Sequence, residues 1–396
     1  PASRILQGEF CMPSTVDLGS RARISAYTIL DHLADTPCAA PDEVPWRAEA
    51  LTPAWLTPRL CADTPGAAVS AVEVRDASSG SSVRKRITVR YNEAGERAGL
   101  VTHFFAKTTP TVLTRLTSGP SAGQEAKFFA QLRPLLDLET PVHRHSVHDR
   151  ISGRALHLFE DLVATRGVSF CDYRTEFSRA QLEAALDLLA RLHGRFHGDA
   201  RLLGEFAWIP TYEVFFEALA RTGTRRGHDQ ALEQARSLLP ARLYAARERL
   251  WPAAEAGLAA HRDETRGVVH SDVHPGNWYL TADGQPGLCD WQCIAQGHWA
   301  RDLAYALASM ASIAQRRAWE RELVAQYLAR LALHGGPRVE FAHAWQRYGE
   351  QLPGALLMWT PTLCHPPTMP DMQPDDVSLE MIRRLTTAIN DLGVLA

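Results

Sequence analysis

The chain has 396 residues, of which 45% are hydrophobic and 22% charged, and its formal net charge at pH 7 is −3. This length allows two or three packed units, and the charge argues against a surface for nucleic acid or acidic lipid, which needs concentrated positive charge. Seven cysteines without a C-x-x-C pair indicate neither a disulfide framework nor a zinc site. No apolar run approaches the ~20 residues that span a bilayer, so we expect a cytoplasmic protein that does not enter a membrane.

Residues 1–50 form an N-terminal extension whose role the sequence leaves open. A helix is predicted over 20–33, with Ile24, Tyr27 and Leu30 on one face. Prolines at positions 37, 41 and 45 interrupt the pattern after it.

Residues 51–162 predict a small lobe built on antiparallel strands. Thr52 and Pro53 have the types preferred at the N-cap and first position of a helix. Strands are predicted over 69–74, 83–91, 100–107, 144–149 and 154–158. The first two strands are joined by a loop of small polar residues, 76–82, for which an ordinary hairpin tip is the commoner explanation.

A helix is predicted over 121–136, with Phe128 and Leu132 on its buried side. Glu125 lies one turn before Phe128 and Phe129, so we expect it to point toward the same face.

Residues 163–396 predict a larger, α-rich lobe. Ser178 is the expected N-cap of a helix with a leucine stripe, and further helices are predicted over 229–262, 301–314, 316–334, 338–358 and 377–394. His193 and His197 have the i,i+4 spacing of metal ligands. No third ligand accompanies them, which favours packing over metal binding.

The stretch 268–292 carries the chemistry. Asn277 follows Asp272 by five residues, and two short strands joined at Asp283-Gly284 lead to Asp290. Such a hairpin predicts that the two carboxylates and the amide lie within reach of one another. One carboxylate can then orient an alcohol and accept its proton, while the other carboxylate and the amide oxygen hold Mg²⁺.

The pattern H-x-D-x-x-x-x-N, followed by Asp290, resembles the catalytic and metal loops of the protein-kinase-like superfamily. A histidine at position 274, D-W-Q in place of D-F-G, and R-D-L-A at 301–304 are similar to the aminoglycoside phosphotransferase and choline kinase branch. The start at 51–56, the D-W-Q turn and the last helix look most similar to the ecdysteroid-kinase-like subgroup. The resemblance implies an α+β, bilobal protein-kinase-like fold.

This resemblance also implies roles for particular residues. Asp272 is the expected catalytic base, Asn277 and Asp290 the Mg²⁺ ligands, and His270 and Asp302 structural supports of the loop. Lys107 at the end of the third strand matches the phosphate-binding lysine, and Glu125 is expected to hold it by an ion pair.

The remaining nucleotide contacts are expected from the backbone. Ser79, Gly80 and Ser81 at the tip of the first hairpin would approach the phosphates. Glu160 and Leu162, in the segment that resembles the linker between lobes, would approach the adenine.

The predicted activity is therefore ATP- and Mg²⁺-dependent phosphorylation of a hydroxyl on a small molecule. Ser271 stands where regulated protein kinases carry an arginine, and no A-P-E follows Asp290, so a phosphorylation-switched protein kinase is not expected. A hydroxy-acid kinase and a non-catalytic nucleotide-binding pseudokinase remain as alternatives. Oligomeric state and the choice between ATP and GTP stay open.

Two features compete as indicators of the substrate. An acidic patch, residues 370–371, 375–376 and Glu380, would attract a polycation such as an aminoglycoside. An aromatic set would line an apolar pocket and consists of Phe341, Trp345, Tyr348 and Trp359. A solvated loop and a helix core are the ordinary interpretations of the two, and the subgroup resemblance favours a less polar alcohol.

Overall fold

The computed structural model describes residues 18–38, 40, 42–79, 82–221, 223–366, 369 and 371–395. They divide into two compact units. The sheet unit extends through Leu132 and continues over Pro141–Val168, and the helical unit comprises Arg133–Thr140 and the chain from Ser169 onward. The predicted functional division at 1–50, 51–162 and 163–396 stays a prediction.

The strands are β1 (Val69–Ser79), β2 (Val83–Tyr91), β3 (His103–Thr108), β4 (His143–His148), β5 (Ala155–Glu160), β6 (Ser169–Phe170), β7 (Gly267–Val269), β8 (Trp278–Leu280), β9 (Pro286–Leu288) and β10 (Ala295–Gly297). The helices are α1 (Leu18–Ala34), α2 (Pro53–Leu60), α3 (Glu93–Arg97), α4 (Val112–Lys127), α5 (Leu162–Arg166), α6 (Arg179–Phe196), α7 (Tyr212–Ala220), α8 (Thr224–Gln234), α9 (Ala241–Ala245), α10 (Leu250–Gly257), α11 (Ala259–Asp263), α12 (Ala300–Met310), α13 (Ile313–Leu333), α14 (Phe341–Leu356), α15 (Thr360–Leu363) and α16 (Asp375–Asp391).

The sheet unit is built on one antiparallel sheet of five strands in the order β1-β2-β3-β5-β4. Alternating residues of β2 and β3, including Val89, Phe104 and Ala106, are almost fully buried on one face. Helix α2 packs there through Trp55, and Thr52 caps it by accepting a hydrogen bond from the Trp55 N–H at 3.2 Å. The five-stranded antiparallel prediction is confirmed.

The predictions for the first strand and for helix α4 of this unit need correction. Strand β1 continues through Ser79, which pairs with Val83, so most of the predicted loop is strand; the predicted phosphate contacts Gly80 and Ser81 lie outside the described residues. Helix α4 begins at Val112 and not after Pro120, because Thr111 and Thr114 form a capping box. The proline is therefore a poorer sign of the helix start than the two threonines before it.

Helix α1 is attached to the sheet unit by a buried charge. Asp31, 6% exposed, accepts hydrogen bonds from Arg115 at 2.5 Å and from Arg154 Nε at 3.0 Å. Arg115 lies in the first turn of α4, is fully buried, and also donates to the Thr109 carbonyl at 3.1 Å. Helix α1 therefore packs as part of this unit.

The helical unit buries a central helix and carries short β elements. Every residue of α12 is buried, with α6, α14 and α16 packed around it. Ser178 caps α6 in a capping box with Gln181, as predicted. Strand β7 pairs with β10, and β6, β8 and β9 form a second small sheet. These elements carry the loops of the candidate site.

No helix within the described ranges combines the length and the apolar character that a membrane crossing requires.

We expect Asp31→Asn to lower the free energy of unfolding of the sheet unit by about 3–5 kcal/mol, because it leaves buried arginine charge without its counterion. Asp35→Asn is the matched control: Asp35 pairs with Arg47 near the surface, with side chains 55% and 35% exposed, and its loss should cost less than about 1 kcal/mol. Urea unfolding followed by tryptophan fluorescence measures both. Equal midpoints for the two variants would contradict the role of Asp31.

Candidate active site

The predicted chemistry-bearing residues lie on two adjoining loops of the helical unit. One loop connects β7 to β8 and carries residues 270–277, and the other follows β9 and begins at Cys289. Trp278 pairs with Leu288 across the β8–β9 hairpin, and Gly284, with φ +81°, makes its turn. The hairpin prediction is confirmed.

Asp302 holds the first loop through its backbone. Its two carboxylate oxygens accept hydrogen bonds from the N–H groups of His270 at 2.7 Å and Ser271 at 2.9 Å. The carboxyl group is completely buried. Ser271 adopts a left-handed φ of 69°, a conformation that a residue with a side chain rarely takes, so this pair of bonds stabilises a strained loop.

His193 completes the surroundings of Asp302. Its Nε2 lies 3.1 Å from Asp302 Oδ2, and its Nδ1 lies 2.7 Å from the Tyr327 hydroxyl. Burial raises the pKa of Asp302, but the hydrogen bonds with the His193 side chain and the His270 N–H, together with the electrostatic interactions with these two residues, outweigh it and hold the pKa below its ordinary value. His193 is thus a hydrogen-bonded support within the core.

His270 is fixed as one neutral tautomer by its partners. The Asp272 N–H donates to Nδ1 at 3.3 Å, and Nε2 lies 3.0 Å from the Cys289 carbonyl oxygen. Because a carbonyl only accepts, Nε2 carries the proton. Burial lowers the pKa of His270. The ring therefore ties the loop of Asp272 to the loop of Asp290, and its edge packs against Trp291 at 4.7 Å between centroids.

The carboxylate of Asp272 is oriented from two sides. Tyr305 donates its hydroxyl to Oδ1 at 3.3 Å, and the Asn277 amide nitrogen donates to the Asp272 carbonyl at 2.7 Å and to Oδ2 at 3.2 Å. Burial, followed by the charge of Asp272, raises the pKa of Tyr305 well above its ordinary value. The tyrosine therefore stays protonated and remains a donor.

Asp290 follows β9, and a backbone hydrogen bond of the residue before it connects this loop to Asn277. The Cys289 N–H donates to the Asn277 carbonyl at 2.9 Å. Asp290 has a left-handed φ of 64°, and strained backbone of this kind concentrates at functional sites. Trp291 donates from Nε1 to the Thr140 hydroxyl at 3.0 Å and anchors the turn.

The oxygen donors of this site fit a hard divalent cation. Since the Asn277 amide nitrogen is used toward Asp272, its oxygen is the atom left to coordinate, and Asp290 is the candidate to supply a carboxylate. Within the described ranges, no group of three or more His, Cys, Asp and Glu side chains is placed to hold a metal. Mg²⁺ commonly takes only one or two protein carboxylates, with substrate phosphates and water completing the shell.

The predicted lysine–glutamate ion pair is present in the sheet unit. Lys107 Nζ lies 2.7 Å from Glu125 Oε2, and the side chains are 9% and 2% exposed. Strand β3 supplies the lysine and α4 the glutamate. His157 lies 3.7 Å from the same carboxylate oxygen. A buried pair of this kind fixes the position of the ammonium group more than it stabilises the fold.

The remaining predicted nucleotide contacts lie on β1 and after β5. Glu160 ends β5, its N–H donates to the Val142 carbonyl at 2.9 Å, and its side chain pairs with Arg144. Leu162 begins α5, which Asp161 caps. Ser79 ends β1. Their roles stay predictions.

The acidic patch and the aromatic set do not form the features that were considered for substrate binding. Glu380 pairs with Arg383 and Arg384, each at 2.7 Å. Phe341, Trp345 and Tyr348 stack on one another, whereas Trp359 packs against His274 with ring centroids 5.1 Å apart. Helix packing is therefore the better interpretation of three of the four aromatics.

Tyr305 is a site residue that was not predicted from the sequence, although a signal was available. It follows Asp302 by three residues in the same helix, so both side chains point to one face. A tyrosine one turn after the bracing aspartate is therefore placed to reach the same loop.

Comparison with known proteins places the chain in a family. The sequence model of the phosphotransferase enzyme family (APH) matches residues 100–347, a span that includes Lys107, Asp272, Asp290 and Asp302. No curated protein sequence matches the chain.

Solved structures provide a second comparison. Aminoglycoside 2'-phosphotransferase-IIIa, in its GDP complex, is 11% identical, with 84% of this chain and 97% of that chain covered and a TM-score of 0.51. Choline kinase LicA from Streptococcus pneumoniae is 14% identical, with coverages of 82% and 94% and a TM-score of 0.43. Macrolide 2'-phosphotransferase MphH from Brachybacterium faecium is 18% identical, with coverages of 73% and 85% and a TM-score of 0.42.

The fold is of the protein-kinase-like class, as predicted. The chain belongs to the phosphotransferase enzyme family, because the family model covers more than half of it. It is a small-molecule kinase.

We expect Asp302→Asn to destabilise the helical unit by about 1–3 kcal/mol, because one acceptor oxygen replaces two and an NH₂ group then faces a buried N–H donor. The amides of His270 and Ser271 should exchange with deuterium faster than in the unchanged protein. Asp187→Asn is the control, since Asp187 accepts from the Arg191 and His334 side chains and from no catalytic-loop amide. Unchanged protection of both amides in Asp302→Asn would refute the bracing role.

Proposed function

We propose that the protein transfers the γ-phosphate of ATP, in the presence of Mg²⁺, to a hydroxyl group of a small molecule. The observation that carries this proposal is the orientation of the Asp272 carboxylate by Tyr305 and Asn277 on a loop tied to that of Asp290. The family match spans this loop and Lys107. A cytoplasmic location, where ATP is available, remains part of the proposal.

Asp272 positions the acceptor. Its carboxylate accepts a hydrogen bond from the substrate hydroxyl, aims the oxygen at the phosphorus, and receives the proton late in the transfer. Because phosphoryl transfer has a loose transition state, alignment and charge neutralisation contribute more than proton removal. Tyr305 and Asn277 reduce the number of orientations that the carboxylate can take.

Asn277 and Asp290 are the residues that would hold Mg²⁺, which when bound neutralises charge on the phosphates. Lys107, held by Glu125, binds phosphate oxygens of ATP. Backbone groups near Glu160 and Leu162 bind the adenine, and residues 79–81 approach the phosphates. His270 and Asp302 act on the loop and not on the substrate.

Two alternatives are distinguished by turnover. A hydroxy-acid kinase would phosphorylate acceptors that carry a carboxylate. A nucleotide-binding pseudokinase would bind ATP tightly and transfer phosphate to no acceptor, and the presence of Lys107, Asp272, Asn277 and Asp290 speaks against it. GTP tested beside ATP identifies the donor.

Asp272→Asn is expected to lower the rate of phosphate transfer by about 10²–10⁴-fold, because the amide neither aligns the hydroxyl as the carboxylate does nor accepts its proton. ATP affinity, measured by calorimetry in the presence of Mg²⁺, should stay within about threefold of the starting value. The rate is followed by mass spectrometry of the phosphate ester formed in extract of host-cell metabolites. A variant that retains full transfer would remove Asp272 from the catalytic role.

Lys107→Met is expected to weaken ATP binding by about 10–100-fold, since a hydrogen bond to a charged group contributes about 1.5–3 kcal/mol. It also destabilises the fold by removing a cationic partner of buried Glu125. The double variant Lys107→Met/Glu125→Met separates these effects, because it should regain thermal stability without regaining ATP affinity. Restored affinity in the double variant would show that the lysine has only a structural role.

A further inference from the structure

A cavity of about 210 Å³ opens beside the catalytic loop, within the helical unit. Its walls come from the catalytic loop, the segment after β6, the end of α14 and the start of α16. Its lining includes Tyr173, Arg174, His274, Trp359, Asp376 and Val377. His274 connects the cavity to the chemistry, since its Nε2 lies 3.7 Å from Asp272 Oδ2.

The inner wall of this cavity is mainly apolar. Trp359, 3% exposed, and Met381, fully buried, both line it. Pro275, Pro374 and Val377 contribute further apolar surface. The His274 ring uses Nδ1 to accept the Gly276 N–H at 3.1 Å. An occupant therefore meets carbon surface on most of its sides.

Two of the three charged side chains at the rim, Arg174 and Asp376, are paired with each other, whereas Asp172 accepts from a backbone N–H. Asp376 accepts a hydrogen bond from the Tyr173 hydroxyl at 2.5 Å and pairs with Arg174 at 3.2 Å. The Arg174 guanidinium lies over the Tyr173 ring, 4.6 Å from its centroid. Asp172 accepts the Arg174 N–H at 2.8 Å. The rim therefore presents a compensated pair, and the face of Tyr173 that a cation would use is taken by Arg174.

Glu380 of the predicted acidic patch is compensated as well. Glu380 lies between Arg383 and Arg384. Asp371 lies 2.6 Å from His365 Nε2. A polycation would compete with Arg383 and Arg384 for Glu380, and a carboxylate substrate would compete with Asp376 for Arg174.

We infer that the acceptor is an uncharged alcohol whose body is apolar and about one ring in size, seated on Trp359 with its hydroxyl toward Asp272. An apolar cavity of about 150 Å³ holds one benzene molecule, so the volume suits a ring with a short substituent, while a larger acceptor would project into solvent. This inference rests on the proposed function and specifies its substrate class.

The first test is an acceptor panel with ATP and Mg²⁺. The uncharged ring alcohols are 2-phenylethanol and cyclohexanol; choline, D-glycerate and kanamycin represent cationic, anionic and polycationic acceptors. We expect kcat/KM for at least one ring alcohol to exceed that of every charged acceptor by tenfold or more. A charged acceptor equal to or better than both ring alcohols overturns the inference and leaves the phosphotransferase proposal standing. Transfer to no acceptor, with no new phosphate ester formed in cell extract either, contradicts both.

The second test changes the wall. Val377 is half-buried in the first turn of α16, and Val377→Glu places a charge at the apolar cavity. We expect kcat/KM for the better ring alcohol to fall at least tenfold. Val214→Glu, on α7 and 42% exposed, is the matched control and should change it less than twofold.

A milder change at the same position shows whether the effect of Val377→Glu comes from misfolding. Val377→Thr keeps the shape of the side chain and replaces one methyl group by a hydroxyl, so we expect a fall of about threefold through KM with an unchanged melting temperature. Equal kcat/KM in Val377→Glu, Val377→Thr and Val214→Glu would show that this cavity does not receive the acceptor.

Discussion

The site depends on one buried carboxylate that binds main-chain N–H groups. Asp302 accepts from His270 and Ser271, and this fixes the backbone from which Asp272 projects. Arg301 supports the same turn from the other side by donating to the Ser271 carbonyl at 3.1 Å. The backbone that carries the Asp272 side chain is thus held by a buried charge on helix α12.

Backbone strain marks the two loops that Asp302 and His270 join. Apart from Asp35, the non-glycine residues with positive φ in the described ranges are Ser271 and Asp290. Each such residue costs about 1–3 kcal/mol and persists only where its surroundings enforce it. The Asp302 carboxylate enforces the conformation of Ser271. The His270 side chain and the backbone bond between Cys289 and Asn277 enforce that of Asp290.

The sequence predicted the parts of the site that depend on short spacing. Asp272, Asn277 and Asp290 lie in or next to one hairpin, and Asp302 lies in a recognisable segment after it. Their positions could therefore be predicted from residues that are near one another in the sequence. The Lys107–Glu125 pair followed from the family resemblance, in which a strand lysine precedes a helix glutamate. The chemistry assigned to these residues stays a proposal until phosphate transfer is measured.

What the sequence did not predict depends on partners far along the chain. On α1 the expected buried face was Ile24, Tyr27 and Leu30, yet Ile24, Thr28 and Asp31 are buried while Tyr27 and Leu30 are exposed. Helical periodicity alone puts a charged residue on the outer face, and the arginine partners that hold Asp31 inside lie 84 and 123 positions later. The same limit concealed the pairing of Asp376 with Tyr173, 203 positions away.

Asp31 precedes both of its arginine partners along the chain, and this order has a consequence during synthesis. Chains leave the ribosome from the N-terminus at about 5–20 residues per second. Helix α1 therefore emerges well before Arg115 and Arg154, and the carboxylate of Asp31 stays hydrated until the second arginine has appeared. The buried ion pairs of α1 therefore form only after Arg154 has been translated, 123 positions after Asp31.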